Sequence, residues 1–186
     1  GNYTYIAKNG WHHNVQAGSS KINEISTQNT SADIDPTKNK SLTYNSMKFL
    51  DDNLKFKITG YGRKTNSGYD SWDDPNARAS NIMYALQSGI ERKEKNFDDK
   101  LIAHIHVHDR YYDTAVKNKY YSRSYTLKGE RKMDISDELS LGFGSDYNYN
   151  KGEFDIKGGW GSSARGHSDN LGIFTNLGYK FNENTI

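Results

Sequence analysis

Apolar and polar residues alternate with a period of two along most of the chain. In Leu54-Lys55-Phe56-Lys57-Ile58-Thr59-Gly60-Tyr61 the even positions up to Ile58 are apolar and the odd ones mostly polar. Ile82, Tyr84, Leu86 and Ile90 share a face in the stretch from Asn81 to Arg92. Leu101, Ala103, Ile105 and Val107 oppose His104, His106 and His108, and Tyr121, Arg123, Tyr125 and Leu127 oppose Ser122, Ser124, Thr126 and Lys128. Leu139, Leu141 and Phe143, then Leu171, Ile173, Leu177, Tyr179 and Phe181, continue the pattern. Successive side chains of a strand point to opposite faces, so these segments read as half-buried β-strands, and helical spacing fits none of them as well. Weaker strands are expected at Tyr3–Lys8, at Trp11 to Ala17 after an Asn9-Gly10 hairpin signal, and at Thr43–Leu50. The expectation is an all-β antiparallel up-and-down meander of about eight to ten strands with no helix.

The connections alternate in length. Long polar ones are expected at Ser19–Ser41, Arg63–Ala79, Asp109–Lys119 and Asn148–Asp169, the last Gly-rich with a small hairpin around Phe154 and Ile156. Short turns are expected at Asp51–Asn53, Lys95–Asp99, Asp134–Asp137 and Asn182–Asn184. Long loops at one end and short turns at the other is the arrangement of outer-membrane barrels, whose strands are apolar toward lipid and polar toward the lumen. A soluble antiparallel sandwich or lipocalin-like barrel with one core face gives the same alternation.

Composition narrows the field. Hydrophobic residues are 33% of the 186, against roughly 45–50% in ordinary globular chains. A barrel needs only half of each strand apolar, so low mean hydropathy does not argue against it. No apolar run approaches the ~18 residues of a helical span. Fourteen Tyr in a 13% aromatic content argue against disorder. A net charge of +2 gives no electrostatic footprint for nucleic acid. With no Cys, disulfide scaffolds and thiolate metal sites are excluded. No signal peptide is visible and the chain opens at Gly1, the expectation for a mature form or a fragment. No nucleophile elbow, Walker loop, His-Glu-x-x-His or Cys nucleophile occurs, so an enzyme is not expected.

Candidate chemistry is confined to a few groups. His104, His106 and His108 share a face, but same-face neighbours lie ~6.6–7 Å apart at Cα, which suits a polar wall better than one metal ion. Asp33-Ile34-Asp35, Asp70, Asp73-Asp74, Asp109 and Asp113 place carboxylates in the expected long loops. Such oxygens suit Ca²⁺, although Asp equally favours solvated turns. Tyr61, Tyr69, Trp72, Tyr111, Tyr112, Tyr120, Tyr147, Tyr149 and Trp160 crowd strand ends and loops, where they suit an interfacial girdle, a stacking surface or loop filling. Lys55, Lys57 and Lys128 would face a lumen, or solvent on a soluble sheet.

Asn39-Lys40-Ser41-Leu42-Thr43-Tyr44, then Leu54 to Tyr61 leading into Thr65-Asn66-Ser67-Gly68-Tyr69-Asp70, resembles the early barrel hairpins of TonB-dependent outer-membrane receptors, and is most similar to the cobalamin-transporter branch. Leu101 to Asp113, through His108-Asp109-Arg110-Tyr111-Tyr112-Asp113, resembles a later strand and loop. Leu139–Tyr147 and Asn170-Leu171-Gly172-Ile173-Phe174 resemble the strands that flank the next external loop. The likeness runs through residues 11–181 as strand texture and loop placement.

The resemblance implies uptake of a large nutrient such as cobalamin or a ferric siderophore, through a barrel of about twenty-two strands around an N-terminal plug. Residues 1–186 then form a single β-barrel-type domain, an interior slice of a larger barrel without plug or TonB-contacting segment, and without transport activity alone. It implies Ca²⁺ on Asp33 and Asp35, before the Lys40-Ser41-Leu42 strand entry, and on Asp70. It also implies ligand contacts at Tyr69 and Trp72. The partners implied are membrane lipid, a nutrient ligand, the remainder of the barrel, the plug and TonB; the location implied is the Gram-negative outer membrane. The competing readings are a small complete barrel acting as a porin or adhesin-like surface protein, and a soluble lipocalin-like or sandwich module.

Overall fold

A computed structural model describes residues 1–25, 34–71, 74–114, 116–157 and 161–180; the side chains of residues 24–25, 34–35, 70–71 and 74–76 lie outside that description. The described residues form nine antiparallel strands: β1 (Asn2–Ile6), β2 (His12–Ile25), β3 (Ile34–Phe49), β4 (Leu54–Ser71), β5 (Asp74–Lys93), β6 (Phe97–Asp113), β7 (Lys117–Asp134), β8 (Leu139–Lys157) and β9 (Ser163–Tyr179). They lie in one sheet in chain order, β1 to β9, an up-and-down meander that matches a β-barrel segment. No helix is long and apolar enough to cross a membrane, which says nothing of a barrel.

Register fixes the two faces. Phe56 pairs with Ile90 and Ile90 with Leu101; Ile58 leads through Ser88 to Ala103, Leu127, Tyr147 and Leu171; Gly60 leads through Leu86 to Ile105 and Tyr125. Among the described residues the expected apolar stripes therefore fall on one continuous face; Phe181 lies outside the description. Four such rows, from Leu42/Tyr84/Val107 down to Phe56/Ile90/Leu101, are spaced by ~7 Å and span on the order of 20–25 Å, the height of a barrel's lipid-facing band. Lys48 joins the lowest row beside the turn, where its stem can lie along apolar surface and its amine reach water.

Nothing covers that face. Among the described residues the only buried hydrophobic ones are Ala77 and Ala79, and no large side chain is fully buried. Leu127 is 51% exposed and Ile173 80%. A soluble sandwich or lipocalin-like fold would seal these groups in a dry interior; here one layer stands alone. Nor does the sheet close among the described residues, since β1 pairs only with β2 and β9 only with β8.

The strands are longer than their apolar pattern. The expected long loops are mostly sheet: strand continues to Ile25 and resumes at Ile34, continues to Ser71 and resumes at Asp74, and ends at Asp113 to resume at Lys117. The expected hairpin around Phe154 and Ile156 is absent; both residues lie on β8, opposite Tyr120 and Asn118 of β7. Beyond the apolar rows polar and aromatic residues mix on both faces, so the period-two signal disappears while the backbone ladder persists. The twenty residues of β5 run on the order of 65 Å along the strand, well beyond a ~30 Å hydrocarbon layer even when tilted.

The opposite end is made of tight turns. Asp51 Oδ1 accepts the amides of Asn53 at 2.8 Å and Leu54 at 2.7 Å, and the Ser136 hydroxyl accepts that of Leu139 at 3.1 Å. The Asn9-Gly10 signal is realised: Gly10 takes φ +83°, and its amide donates to the Ala7 carbonyl at 3.0 Å. A side chain at this left-handed position costs roughly 1–2 kcal/mol. Gly10→Ala is expected to speed hydrogen exchange of the β1 amides and leave those of β6 unchanged; equal exchange in β1 would show that the turn does not depend on this glycine.

Candidate functional site: the polar face and its aromatic end

The face opposite the apolar rows is polar through its middle, on every strand from β2 to β9. Asn14, Asn45, Thr59, Gln87, His104, Thr126, Asn148 and Asn170 stand in one row, one residue from each strand β2 to β9. The groups partner one another: the Thr126 hydroxyl donates to Asn148 Oδ1 at 2.7 Å, and the Asn148 amide donates to Asn170 Oδ1 at 3.2 Å and to Asp146 at 2.8 Å. Side chains that each need water or a hydrogen bond mark this as the wet side of the sheet.

Toward the short turns the same face carries charge in alternation. Lys55, Glu91, Lys100 and Glu130 align across β4 to β7. Glu91 pairs with Lys55 and Lys57, both at 2.8 Å, and Glu130 with Lys128 at 2.9 Å and Lys100 at 3.3 Å. The expected lumen lysines, 55, 57 and 128, are thus on the polar face and all paired. Half-exposed pairs of this kind contribute at most about 1 kcal/mol each, so the ladder orders the side chains more than it stabilises the sheet.

The histidines behave as wall residues. His104, His106 and His108 lie on the polar face opposite Gln87, Ala85 and Met83. The rings of His104 and His106 stack at 6.4 Å between centroids. No group of three potential metal ligands forms among the described residues. His13, by contrast, sits on the apolar face. Its Nδ1 is 3.0 Å from the Tyr44 hydroxyl and 2.9 Å from that of Ser46, and it stacks against Tyr5, Trp11 and Tyr44. That role was not legible from His12-His13, because it depends on which strands flank β2.

At the long-strand end the polar face becomes aromatic. Tyr69 meets Tyr112 edge-on at 6.1 Å, Tyr112 meets Tyr120 at 6.0 Å, and Tyr120 meets Phe154 at 4.5 Å, a ladder over β4, β6, β7 and β8. Arg110 lays its guanidinium 4.6 Å from the Tyr112 ring. Ala77 and Ala79, the two buried apolar residues, pair with Tyr69 and Tyr112 and sit at the ladder's foot. Beside it a groove of about 760 Å³ is lined by His108, Arg110, Tyr112, Tyr120 and Phe154, and opens over Gly152. The Asn118 amide oxygen, opposite Tyr112 and Ile156, is buried with no hydrogen-bond partner. Flat rings and a guanidinium can hold a large, partly aromatic, anionic ligand by stacking and charge.

Of the residues expected to bind, Tyr69 is in this ladder. Asp33 and Trp72 lie outside the described residues, and so does Trp160. The backbones of Asp35 and Asp70 lie in β3 and β4, not in the loops expected for them, because the polar pattern there belongs to extended strands; their side chains are outside the description. The expected girdle divides by parity. Tyr61, Tyr69, Tyr112 and Tyr120 are on the polar face, and Tyr111, Tyr147 and Tyr149 on the other. Phe154 was missed because it was assigned to a separate hairpin.

No family model matches the chain, and no curated protein matches it significantly. Among solved structures, the ferric yersiniabactin uptake receptor FyuA from Yersinia pestis is similar, with a TM-score of 0.62 and 11% identity over 95% of this chain. The chain spans 33% of that receptor's length. At this identity the shared property is the fold. The relative is an uptake receptor for a ferric compound and lends no support to the cobalamin branch.

If the ladder is a cooperative unit, a double-mutant cycle of Tyr120→Ala and Phe154→Ala should give a coupling of about 0.5–1.5 kcal/mol in denaturant unfolding. Additive losses would show that the rings only share a neighbourhood.

Proposed function

We propose that the chain is part of the wall of a TonB-dependent-type receptor barrel in a Gram-negative outer membrane, and that the barrel takes up a ferric siderophore. The observation that carries this reading is the division of a single uncovered sheet into an apolar face of membrane height and a polar face joined by hydrogen bonds. Unpaired strand edges do not occur in hydrocarbon, so β1 and β9 call for strands from the remainder of a larger barrel. A plug and TonB are further partners of the whole receptor, which this sheet does not perform without them. The likeness to a ferric yersiniabactin receptor supports the barrel type. The aromatic ladder with Arg110 supports a ligand with rings and negative charge, and Tyr69, Tyr112 and Tyr120 are its proposed contacts. Calcium on Asp33, Asp35 and Asp70 remains a proposal of the family resemblance alone.

The absence of Cys makes the orientation directly testable. Leu127→Cys and Thr126→Cys occupy neighbouring positions on opposite faces. With a fluorophore on each and the sheet completed by the rest of its proposed barrel in vesicles, a lipid-phase quencher should extinguish the label at 127 several-fold more than that at 126. Equal quenching overturns the membrane wall. In parallel, Ala103→Arg should cost about 2–4 kcal/mol of stability in lipid, and Thr126→Arg under 1 kcal/mol.

A further inference from the structure

On the apolar face, just above its highest row, four lysines cluster on three adjacent strands. Lys21 of β2 stands directly opposite Lys38 of β3, and Lys40 of β3 directly opposite Lys64 of β4. Like charges in directly opposed positions repel, and all four are exposed. Among the described residues none has an ion-pair partner. Elsewhere on this rim the pattern is mixed: Arg123 is paired with Asp109, and Arg165 with Glu153 at 3.0 Å, whereas Lys151, directly opposite Arg123, has no ion-pair partner among the described residues.

Directly below Lys40 and Lys64 the apolar face is notched. Gly60 and Gly62 leave β4 without side chains between Leu42 and Tyr44 of β3 and Tyr84 and Leu86 of β5, which form the walls. The groove holds about 560 Å³ and is lined from Lys40 and Lys64 down to the rows of Gly62–Tyr84–Val107 and Gly60–Leu86–Ile105, across β3 to β6. The Tyr84 ring lies 3.4 Å from where a Cβ on Gly62 would stand, so a side chain there would fill the notch.

We infer that this groove is a site for a phosphorylated lipid, with an acyl chain in the Gly60–Gly62 notch and the phosphate between Lys40 and Lys64, supported by Lys21 and Lys38. The inference rests on the proposed membrane reading. Charge complementarity selects the occupant: an apolar trough headed by cations without an ion-pair partner among the described residues matches a molecule with a long apolar tail and an anionic head. A free anion would use the lysines and leave the trough empty. A second copy of the chain would bring the same lysines to face these.

The test is native mass spectrometry of the chain in dodecylmaltoside micelles, with phosphatidylglycerol, phosphatidylcholine and inorganic phosphate as probes. Phosphatidylglycerol should be retained roughly tenfold better than phosphatidylcholine, and inorganic phosphate at equal concentration should not displace it. Lys40→Gln with Lys64→Gln should abolish the preference and keep the weak binding of phosphatidylcholine. Gly62→Leu should reduce retention of both lipids. Equal retention by the unaltered chain, a preference that survives the lysine changes, displacement by phosphate, or a dimer that Gly62→Leu dissolves would each overturn the assignment. The label at position 127 separates the two failures: quenched label with no lipid preference sinks this site alone, whereas an unquenched label sinks the membrane reading and this site with it.

Discussion

A single antiparallel layer satisfies its backbone internally and leaves both faces to whatever surrounds it. In an ordinary globular protein one face is sealed by a second layer, and the apolar area so removed from water supplies most of the stability. This sheet has no second layer among the described residues, and Leu171 and Ile173 are 68% and 80% exposed. Its hydrophobic term must therefore come from the medium. In water the same face is a liability, a broad patch flanked by two unpaired edges, each a template for aggregation. In a bilayer it is the natural boundary, provided that further strands close the ring. Most other features of the chain follow from that one requirement.

Charge placement is an example. On the polar face the Lys–Glu ladder joins four strands without a cation left over among its members. On the apolar face charged groups lie mostly toward the rims, with Arg123 and Lys151 in the highest row and Asp169 in the row below it, and at the short-turn end one pair is compensated. There Arg131 donates to both Asp99 oxygens, at 2.5 and 2.6 Å, and lies 4.7 Å from the Phe97 ring. A guanidinium tied in this way can stand at the edge of hydrocarbon with little desolvation penalty. At the opposite rim Lys21, Lys38, Lys40 and Lys64 have no such ion-pair partner among the described residues, and on the inferred reading their two facing pairs take an anion from outside the chain.

The faces were legible in the sequence because alternation is a local property: Leu101 to Val107 against His104 to His108 already assigns inside and outside. Register, which joins Phe56 to Leu101 and Gly60 to Ile105, only confirms that the local stripes coincide. What the sequence concealed was the length of the strands. From Ser19 to Ile25 and from Arg63 to Ser71 most residues on both faces are polar, and a strand solvated on both sides carries the same signature as a loop. That one ambiguity displaced Asp35 and Asp70 from strands into loops and Phe154 into a hairpin, and it hid the aromatic ladder. The ladder's members are separated by up to 85 residues, from Tyr69 to Phe154, and only cross-strand register brings them together. The Gly60–Gly62 notch was hidden for the same reason, since its walls belong to the neighbouring strands.

The extra strand length has a consequence for how a ligand would be handled. Val107 marks the highest apolar row on β6, whereas Arg110 and Tyr112 lie three and five residues farther along. At ~3.4 Å per residue they stand on the order of 10–17 Å above the apolar band. Stacking and charge therefore operate in an aqueous setting beyond the hydrocarbon, on a rigid sheet rather than on loops. A rigid ladder limits the entropy lost on capture, because its rings are already held by one another. Below it the wall changes character: imidazoles at 104, 106 and 108, then the amide and hydroxyl row, then the charge ladder. The charge ladder and the Thr126–Asn148–Asn170 part of the amide row are already engaged within the wall. On the proposed reading, affinity is concentrated at the aromatic mouth and falls along the passage, the gradient that a receptor needs if what it captures is to be released inward.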